Sequence, residues 1–181
     1  MFTPLSMGTN HMLGQDNLVP ITSNTFELRL FQLDGSQPAE ANIMTLYTDE
    51  IGDIQEEQDI ISVHYANGVQ KFPAKVTFAD IDWTLNYFCS PDVSQAVHEW
   101  RDQVYNGISE RMGLPSEYMR NAYYIRYDGQ GNPRKIIYLP CVWPGPVRET
   151  GGNQQGGEIV KISFPLVVSR MQYIKPEDYR G

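Results

Sequence analysis

The sequence predicts a mainly β fold with one packed α-helix, arranged as an antiparallel β-barrel or sandwich. Several segments alternate apolar and polar residues at period two, the pattern of half-buried strands, and turn residues separate them. A single segment repeats apolar residues at helical spacing. A chain of 181 residues suits one domain. It holds no apolar run near the roughly 20 residues that a membrane-spanning helix needs, so we expect no membrane insertion.

We expect three parts along the chain: an N-terminal arm over residues 1–24, one domain over residues 25–174 and a C-terminal tail over residues 175–181. The arm carries three methionines and two prolines without helical or strand periodicity. It also lacks the basic and apolar regions of a secretory signal. The sequence therefore predicts a protein that stays in the compartment where it is made.

The first strand is predicted over residues 26–33 (FELRLFQL), followed by a turn at Asp34-Gly35. Residues 42–48 (NIMTLYT) are predicted as a second strand. Residues 60–72 predict a hairpin with a tight turn at Asn67-Gly68. A long strand follows over residues 75–88, and its polar and apolar residues take opposite faces.

Between these strands, six carboxylates crowd eleven positions: Asp49, Glu50, Asp53, Glu56, Glu57 and Asp59. Their spacing does not match the ligands of an EF-hand. Two interpretations remain open. The segment is either a solvated loop or short exposed helix, or an acidic surface at a subunit contact or channel wall.

The one helix is predicted over about residues 91–112, with Ser90 as the cap and Pro91 in the first helical position. Gly113 and Pro115 are expected to end it. Its apolar stripe is formed by Val93, Val97, Trp100, Val104, Ile108 and Met112.

The last third predicts a second hairpin, formed by residues 121–127 and 134–142 around a turn with glycine and proline. Trp143-Pro144 is expected to begin a glycine-rich loop. The final strand lies within residues 158–171. It contains Pro165, which cannot donate to a sheet ladder, so this strand is expected at a sheet edge or with a bulge.

Charge limits the function classes. Acidic residues outnumber basic ones 22 to 14, for a formal charge of −8. Tight nucleic-acid binding depends on basic side chains that neutralise phosphates, so it is disfavoured. A protein that lets DNA pass without binding it remains compatible with this charge.

The sequence shows no catalytic or metal-binding pattern, so we expect no enzyme activity and no cofactor. The three histidines lack zinc-ligand spacing, and no nucleophile elbow or phosphate loop occurs. Cys89 and Cys141 are expected to be reduced, with a disulfide as the alternative. Asp80 and Asp82 share a strand face, yet nothing builds an acid–base site around them. The aromatic content leaves a glycan-binding β-sandwich open.

Three segments, in order along the chain, resemble the tail tube proteins of contractile-tailed bacteriophages, a family related to the tubes of contractile injection and type VI secretion systems. They are the long strand followed by the helix, the apolar-Trp-Pro turn, and the closing strand that ends near an aromatic residue. The resemblance covers about residues 26–173. The residues that carry it are Trp83, Trp100, Trp143, Pro144 and Tyr173.

The resemblance implies a major tail tube subunit, in which strands of six subunits form one inner β-barrel and the hexameric rings stack into a conduit for DNA. The implied partners are the tail sheath, tape-measure, baseplate and tail terminator proteins, with double-stranded DNA only as passing cargo. The location would be the virion tail, assembled in the host cytoplasm. A baseplate tube initiator or injection-system tube is the near alternative, and a monomeric glycan-binding β-sandwich is the distant one. The arm and the acidic segment are expected to contact adjacent subunits or rings.

Overall fold

A computed structural model of the chain describes residues 25–88, 92–128, 130–150 and 159–179. The predicted N-terminal arm, Cys89, Ser90, Pro91 and most of the glycine-rich loop lie outside the described residues. Within them the fold is mostly antiparallel β-sheet with few helices, which confirms the predicted fold class.

The described part of the chain contains many strands and few helices. The strands are β1 (Phe26–Gln32), β2 (Thr48–Ile51), β3 (Glu56–Tyr65), β4 (Gly68–Phe78), β5 (Ile81–Asn86), β6 (Tyr105–Asn106), β7 (Arg111–Met112), β8 (Arg120–Tyr127), β9 (Pro133–Pro144), β10 (Arg148–Glu149), β11 (Lys161–Val167) and β12 (Gln172–Ile174). The helices are α1 (Ala39–Leu46), α2 (Val93–Val104) and α3 (Pro115–Tyr118), and a 3₁₀ turn spans Pro176–Asp178.

Most strands belong to one eight-stranded sheet, in the order β1-β8-β9-β11-β5-β2, with β10 beside β11 and β12 beside β9. Strand β9 joins its two halves, because it pairs with β8 along most of its length, with β12 over three residues, and with β11 at Trp143 and Pro144. Near this change of partner, Cys141 has a positive φ of 56°. We call β1, β8, β9 and β12 the first sheet, and β2, β5, β10 and β11 the second sheet.

Both sheets and the first two helices bury side chains in one core. Alternate residues of β5 and β11 point inward, as the period-two pattern predicted. Phe164 lies at its centre, with ring centroids 5.4 Å from Trp83 and 6.3 Å from Trp100. The helix α2 therefore packs on the second sheet through the tryptophan that the sequence placed on its apolar stripe.

The predicted extent of this helix was wrong. The carboxylate of Asp92 accepts a hydrogen bond from the Gln95 N–H at 3.0 Å, so Asp92 is the N-cap. The helix ends at Val104, because Tyr105 is extended and starts the β6–β7 turn. Ile108, assigned to the apolar stripe by its spacing, is 99% exposed in that turn.

Gly113 has a different role from the predicted helix stop. The chain returns against the end of α2, where the Gly113 N–H donates to the Val104 carbonyl at 3.0 Å. A Cβ on Gly113 would collide with the Gln103 carbonyl oxygen. Glycine is therefore needed for this close approach.

The predicted second strand over residues 42–48 is mostly helix, since α1 covers Ala39–Leu46. Ala41 and Met44, three residues apart, are both buried, which is a helical spacing that a period-two interpretation missed. The Thr45 hydroxyl donates to the Leu28 carbonyl at 2.7 Å and ties α1 to β1.

The predicted long strand over residues 75–88 is two strands, because β4 pairs with β3 whereas β5 pairs with β2 and β11. The two predicted hairpins are present as β3–β4 and β8–β9. In the first, Tyr65 pairs with Gly68, so the turn is centred on Ala66 and Asn67 rather than on Asn67-Gly68.

Pro165 lies within the sheet and not on an edge strand. Its strand β11 pairs with β5 on one side, and on the other with β10 near Ser163 and with β9 near Leu166. Pro165 falls between these two partners, where its missing N–H interrupts no ladder. Trp143 and Pro144 accordingly end β9 rather than begin the loop.

Candidate assembly surfaces

The residues that carried the resemblance are mostly structural and do not meet at one site. Trp83 and Trp100 are fully buried, and their indole N–H groups donate to the Thr48 hydroxyl at 3.1 Å and to the Tyr118 carbonyl at 2.8 Å. Trp143 is half-buried and Pro144 is buried. Tyr173 is exposed on β12, with the Lys135 ammonium 5.3 Å from its ring centroid.

The acidic segment is extended rather than a loop or short helix, since it runs through β2, a four-residue connection and the start of β3. Of the six carboxylates in this segment, Asp49 alone has an ion pair with another described residue, Lys161 at 2.7 Å. The Lys161 and Asn86 hydrogen bonds lower the pKa of Asp49. The other five carboxylates are exposed: Glu50, Asp53, Glu56, Glu57 and Asp59.

The β3–β4 hairpin is the most unusual surface. Every residue of β3 and nearly every residue of β4 is exposed, and apart from Phe78 at its base neither face of this two-stranded ribbon packs on the core. Seven of its exposed residues are large and apolar: Ile60, Ile61, Val63, Tyr65, Val69, Phe72 and Val76. An isolated two-stranded hairpin is marginally stable in water, and exposed apolar patches mark interaction sites.

The sequence predicted this hairpin but not its exposure. A signal was present in Ile60-Ile61, where two adjacent large apolar residues place apolar surface on both faces of one strand. A strand with one face on the core normally alternates.

The first sheet ends in two strands with one described neighbour each. On one side β1 pairs with β8, and on the other β12 pairs with β9, with no further described strand beyond either of them. Such edges present backbone groups that another chain can pair with. A strand from another chain can thus pair with this four-stranded sheet at either edge.

The face of the first sheet that points away from the core is aromatic. Tyr123 is its centre, with ring centroids 5.5 Å from Phe31, 4.9 Å from Tyr138 and 5.7 Å from Tyr179. The last of these follows the 3₁₀ turn, so the C-terminal segment crosses this face.

The carboxylate on this aromatic face is neutralised. Glu27 pairs with Arg29 at 2.8 Å and accepts a hydrogen bond from the Tyr127 hydroxyl at 2.6 Å. Burial and the Glu27 carboxylate raise the pKa of Tyr127 to about 12, so it stays a neutral donor. The exposed negative charge of the acidic segment lies elsewhere, on β2, β3 and the connection between them.

No cluster that could hold a metal ion occurs among the described residues. No described helix is long and apolar enough to cross a lipid bilayer. The chemistry available on these surfaces is hydrogen bonding by strand edges, apolar contact and charge.

No protein-family model and no curated protein matches the sequence. Solved structures match its fold. A chain in the cryo-EM structure of the anti-feeding prophage cap, a tube-terminating cap, superposes with a TM-score of 0.67 at 14% identity, over 86% of this chain and 91% of that one. A chain of the six-fold symmetrised anti-feeding prophage baseplate gives 0.66 at 10% identity, over 87% and 97%.

A third match comes from the PVC extracellular contractile injection system. A chain of its extended sheath–tube complex superposes with a TM-score of 0.59 at 12% identity, over 93% of this chain and 100% of that one. At such identities the matches show a shared fold, and they cover nearly the whole length of each chain. The fold is thus one found in tube, baseplate and cap assemblies of contractile injection systems.

Proposed function

We propose that this chain is a structural subunit of the tube of a contractile apparatus, and that copies of it form stacked hexameric rings. The observation that carries the proposal is the β3–β4 ribbon, whose apolar residues are exposed on both faces and need partner chains to become buried. The fold shared with chains from cap, baseplate and sheath–tube assemblies supports the same role.

Ring closure would use the edges of the first sheet. Pairing β1 of one copy with β12 of the next would satisfy the edge groups and continue the sheet from copy to copy. A heterologous contact of this kind closes into a ring when the rotation allows it. The first sheets of all copies would then form one continuous sheet around the ring. Its aromatic face would point to one side of the ring wall, and its core face to the other.

Within this class we favour the major tube subunit, whose rings repeat along the conduit. A baseplate tube initiator or an injection-system tube is the near alternative, and the structural matches to injection-system assemblies keep it close. The proposed partners are the sheath outside, the baseplate and terminator at the two ends, and a tape-measure protein inside. DNA would only pass through, as expected for a chain with net charge −8.

The acidic segment and the arm over residues 1–24 belong to the same proposal, as contacts to adjacent subunits or rings. The five exposed carboxylates lie at the base of the ribbon, where a neighbour that buries the ribbon would meet them. Deleting residues 1–20 and still obtaining full-length tubes would count against the role of the arm.

A glycan-binding module is not favoured by the positions of the tryptophans. Such a module often stacks sugars on exposed tryptophan rings, whereas Trp83 and Trp100 are fully buried and Trp143 is half-buried, so the tryptophans do not supply that surface.

Negative-stain electron microscopy of the purified untagged chain tests the proposal. Rings or hollow tubes are expected as the protein is concentrated. A chain that stays monomeric, alone and with its sheath and baseplate proteins, would overturn it.

A further inference from the structure

The two edge strands of the first sheet run in opposite directions. The three strand pairs β1–β8, β8–β9 and β9–β12 are all antiparallel, so β12 runs opposite to β1. Rotation about a ring axis keeps the direction of each strand along that axis. In a ring of identical copies, β12 of one copy is therefore antiparallel to β1 of the next, which is the type of pairing that the rest of the sheet uses.

The strand registers place residues of the two edges in common rows across the sheet. Leu28 pairs with Tyr124, and Tyr124 pairs with Ile137. Ile137 pairs in turn with Tyr173, so one row of residues runs from β1 to β12. Residues in one row share a face of the sheet, and Leu28 and Ile137 belong to the core. Tyr173 therefore lies on the core face at the β12 edge, level with Leu28 at the β1 edge.

The β12 edge carries an aromatic and basic patch on this face. Tyr173 is 59% exposed, and the Lys135 ammonium lies 5.3 Å from its ring centroid. Lys135 is two residues from Ile137 on β9, which puts it on the core face as well. It is exposed and has no ion pair with a described residue. Lys175, two residues beyond Tyr173, is also exposed, with its ammonium 3.7 Å from the Glu177 carboxylate.

The β1 edge carries a groove on the same face. It has a volume of about 640 Å³ and is lined by residues of β1, β2, β8 and the end of α1. Phe26 and Tyr124, which line it, pack in or against the core, and Leu46 at its wall is 77% exposed. Phe26 is two residues from Leu28, so the groove lies beside the level of Tyr173. A shift of the contact by two residues would keep the faces and bring Tyr173 to Phe26 itself.

The groove is acidic. Three carboxylates line it: Asp49, Glu50 and Asp53. Asp49 is paired with Lys161 at 2.7 Å, whereas Glu50 and Asp53 are exposed and have no ion pair with a described residue. The lining cation among the described residues is Arg126, whose Nε donates to a tyrosine hydroxyl of β8 at 2.6 Å. Two carboxylates beside one guanidinium leave the groove favourable for a further cation.

We propose that Tyr173 and Lys135 of one copy dock into the groove at the β1 edge of the next copy. The Tyr173 ring would lie against Phe26 and Leu46. The Lys135 ammonium would meet the carboxylates of Glu50 and Asp53. The inference rests on the proposed tube function, because it takes pairing of β12 with β1 between copies as its starting point.

Face, level and charge together identify a second copy as the occupant. The patch and the groove both lie on the core face, so one continuous sheet brings them side by side. Through Arg126, Phe26 at the groove shares a row with Lys135, so the two edges also match in level. Copies with net charge −8 repel one another, and a stable contact between them needs a local pairing of opposite charges.

Disulfide trapping in the assembled protein tests the contact. In a background with Cys89→Ala and Cys141→Ala, one chain carries both Leu46→Cys and Tyr173→Cys. Leu46 lies at the β1 edge and Tyr173 three strands away, roughly 14 Å, which is too far for a disulfide within one copy. The control chain carries Gln172→Cys in place of Tyr173→Cys, at the exposed neighbour on the opposite face. Melting curves first establish that each variant folds like its background.

We expect oxidation to give a ladder of covalent multimers in a yield roughly ten times that of the control, because Tyr173 shares the core face with the groove and Gln172 does not. Equal yields in the two chains, or no multimers in either, would overturn the docking. Light scattering of the wild-type chain separates the two levels of the account. Rings without the ladder contradict only the docking, whereas a strict monomer contradicts the tube function as well.

Charge exchange gives a second test, with net charge as its internal control. Lys135→Glu makes each copy more negative, and Asp53→Lys makes it less negative. Each is nevertheless expected to raise the protein concentration needed for assembly about tenfold, because each places like charges against each other across the contact. Both substitutions in one chain restore opposite charges, and the wild-type concentration is expected. An Asp53→Lys chain that assembles more readily than the wild type, or a double variant no better than the single ones, would overturn the docking.

Discussion

Gly145 and Pro165 lie in direct contact where β9 leaves β11. The Gly145 N–H donates to the Pro165 carbonyl at 2.7 Å, and a Cβ on Gly145 would lie 2.6 Å from the Pro165 Cγ. This pair lets a proline occupy an interior strand. Because residue 145 is a glycine, the chain can pass close to the pyrrolidine ring of Pro165. This is the position where the partner of β11 changes from β10 to β9.

Gly145→Ala is therefore expected to destabilise the fold by about 1–3 kcal/mol, the usual cost of forcing an added methyl group against packed atoms. Urea denaturation followed by circular dichroism measures it. Gly107→Ala is the matched control, because a Cβ there meets nothing within 4 Å. An equal effect of the two substitutions would contradict the steric account.

Arg120 is a buried cation with few partners. It is 3% exposed, its guanidinium lies 4.7 Å from the Trp100 ring centroid, and Nε and Nη1 have no acceptor among the described residues. Burial lowers its pKa. We expect Arg120→Met to leave the free energy of unfolding unchanged or to raise it, by up to about 2 kcal/mol, because the desolvation cost of the charge is removed.

Arg120→Lys is the contrasting variant, since a compact ammonium keeps the buried charge but stacks poorly on the indole. It is expected to unfold at lower urea concentration than the wild type. A loss of stability in the methionine variant as large as in the lysine variant would mean that the guanidinium stabilises the monomer.

Asp128 organises the β8–β9 turn. Its carboxylate accepts from the Asn132 N–H at 2.8 Å, the Gln130 N–H at 2.9 Å and the Arg134 Nε at 3.0 Å. These hydrogen bonds lower the pKa of Asp128 to about 2. A carboxyl whose pKa is lower in the folded than in the unfolded state stabilises the fold. This contribution is complete at pH values above the unfolded pKa, near 4, and is lost as the pH falls through the folded pKa, about 2.

The free energy of unfolding of Asp128→Asn is thus expected to differ most from the wild type at neutral pH. The difference should shrink as the pH falls from about 5 to about 2. Denaturation curves across this range measure it. A difference that stays constant with pH would show that the charge of Asp128 has no part in it.

Local patterns predicted the elements whose side chains face one core. The alternation in β1, β5 and β11 and the positions of Trp83 and Trp100 were correct, because burial imposes a period on the sequence. The helix α1 was missed since it is short. The end of α2 was misplaced because Ile108 and Met112 continue the helical spacing by coincidence.

Features that depend on distant residues could not be read from local sequence. Pro165 is placed inside the sheet by Gly145, twenty positions away, and no period links the two. The exposure of the β3–β4 ribbon likewise depends on what the rest of the chain leaves uncovered. The acidic segment was found by composition, but its extended form follows from pairing of β2 with β5 and of β3 with β4.

The mass of the assembled particle tests the central claim most directly. Native mass spectrometry or sedimentation of the purified chain across a range of concentrations is expected to show a species of roughly 124 kDa, six times 20.7 kDa, and multiples of it as rings stack. A single species at 20.7 kDa at every concentration, also after addition of sheath and baseplate proteins, would contradict a ring-forming tube subunit.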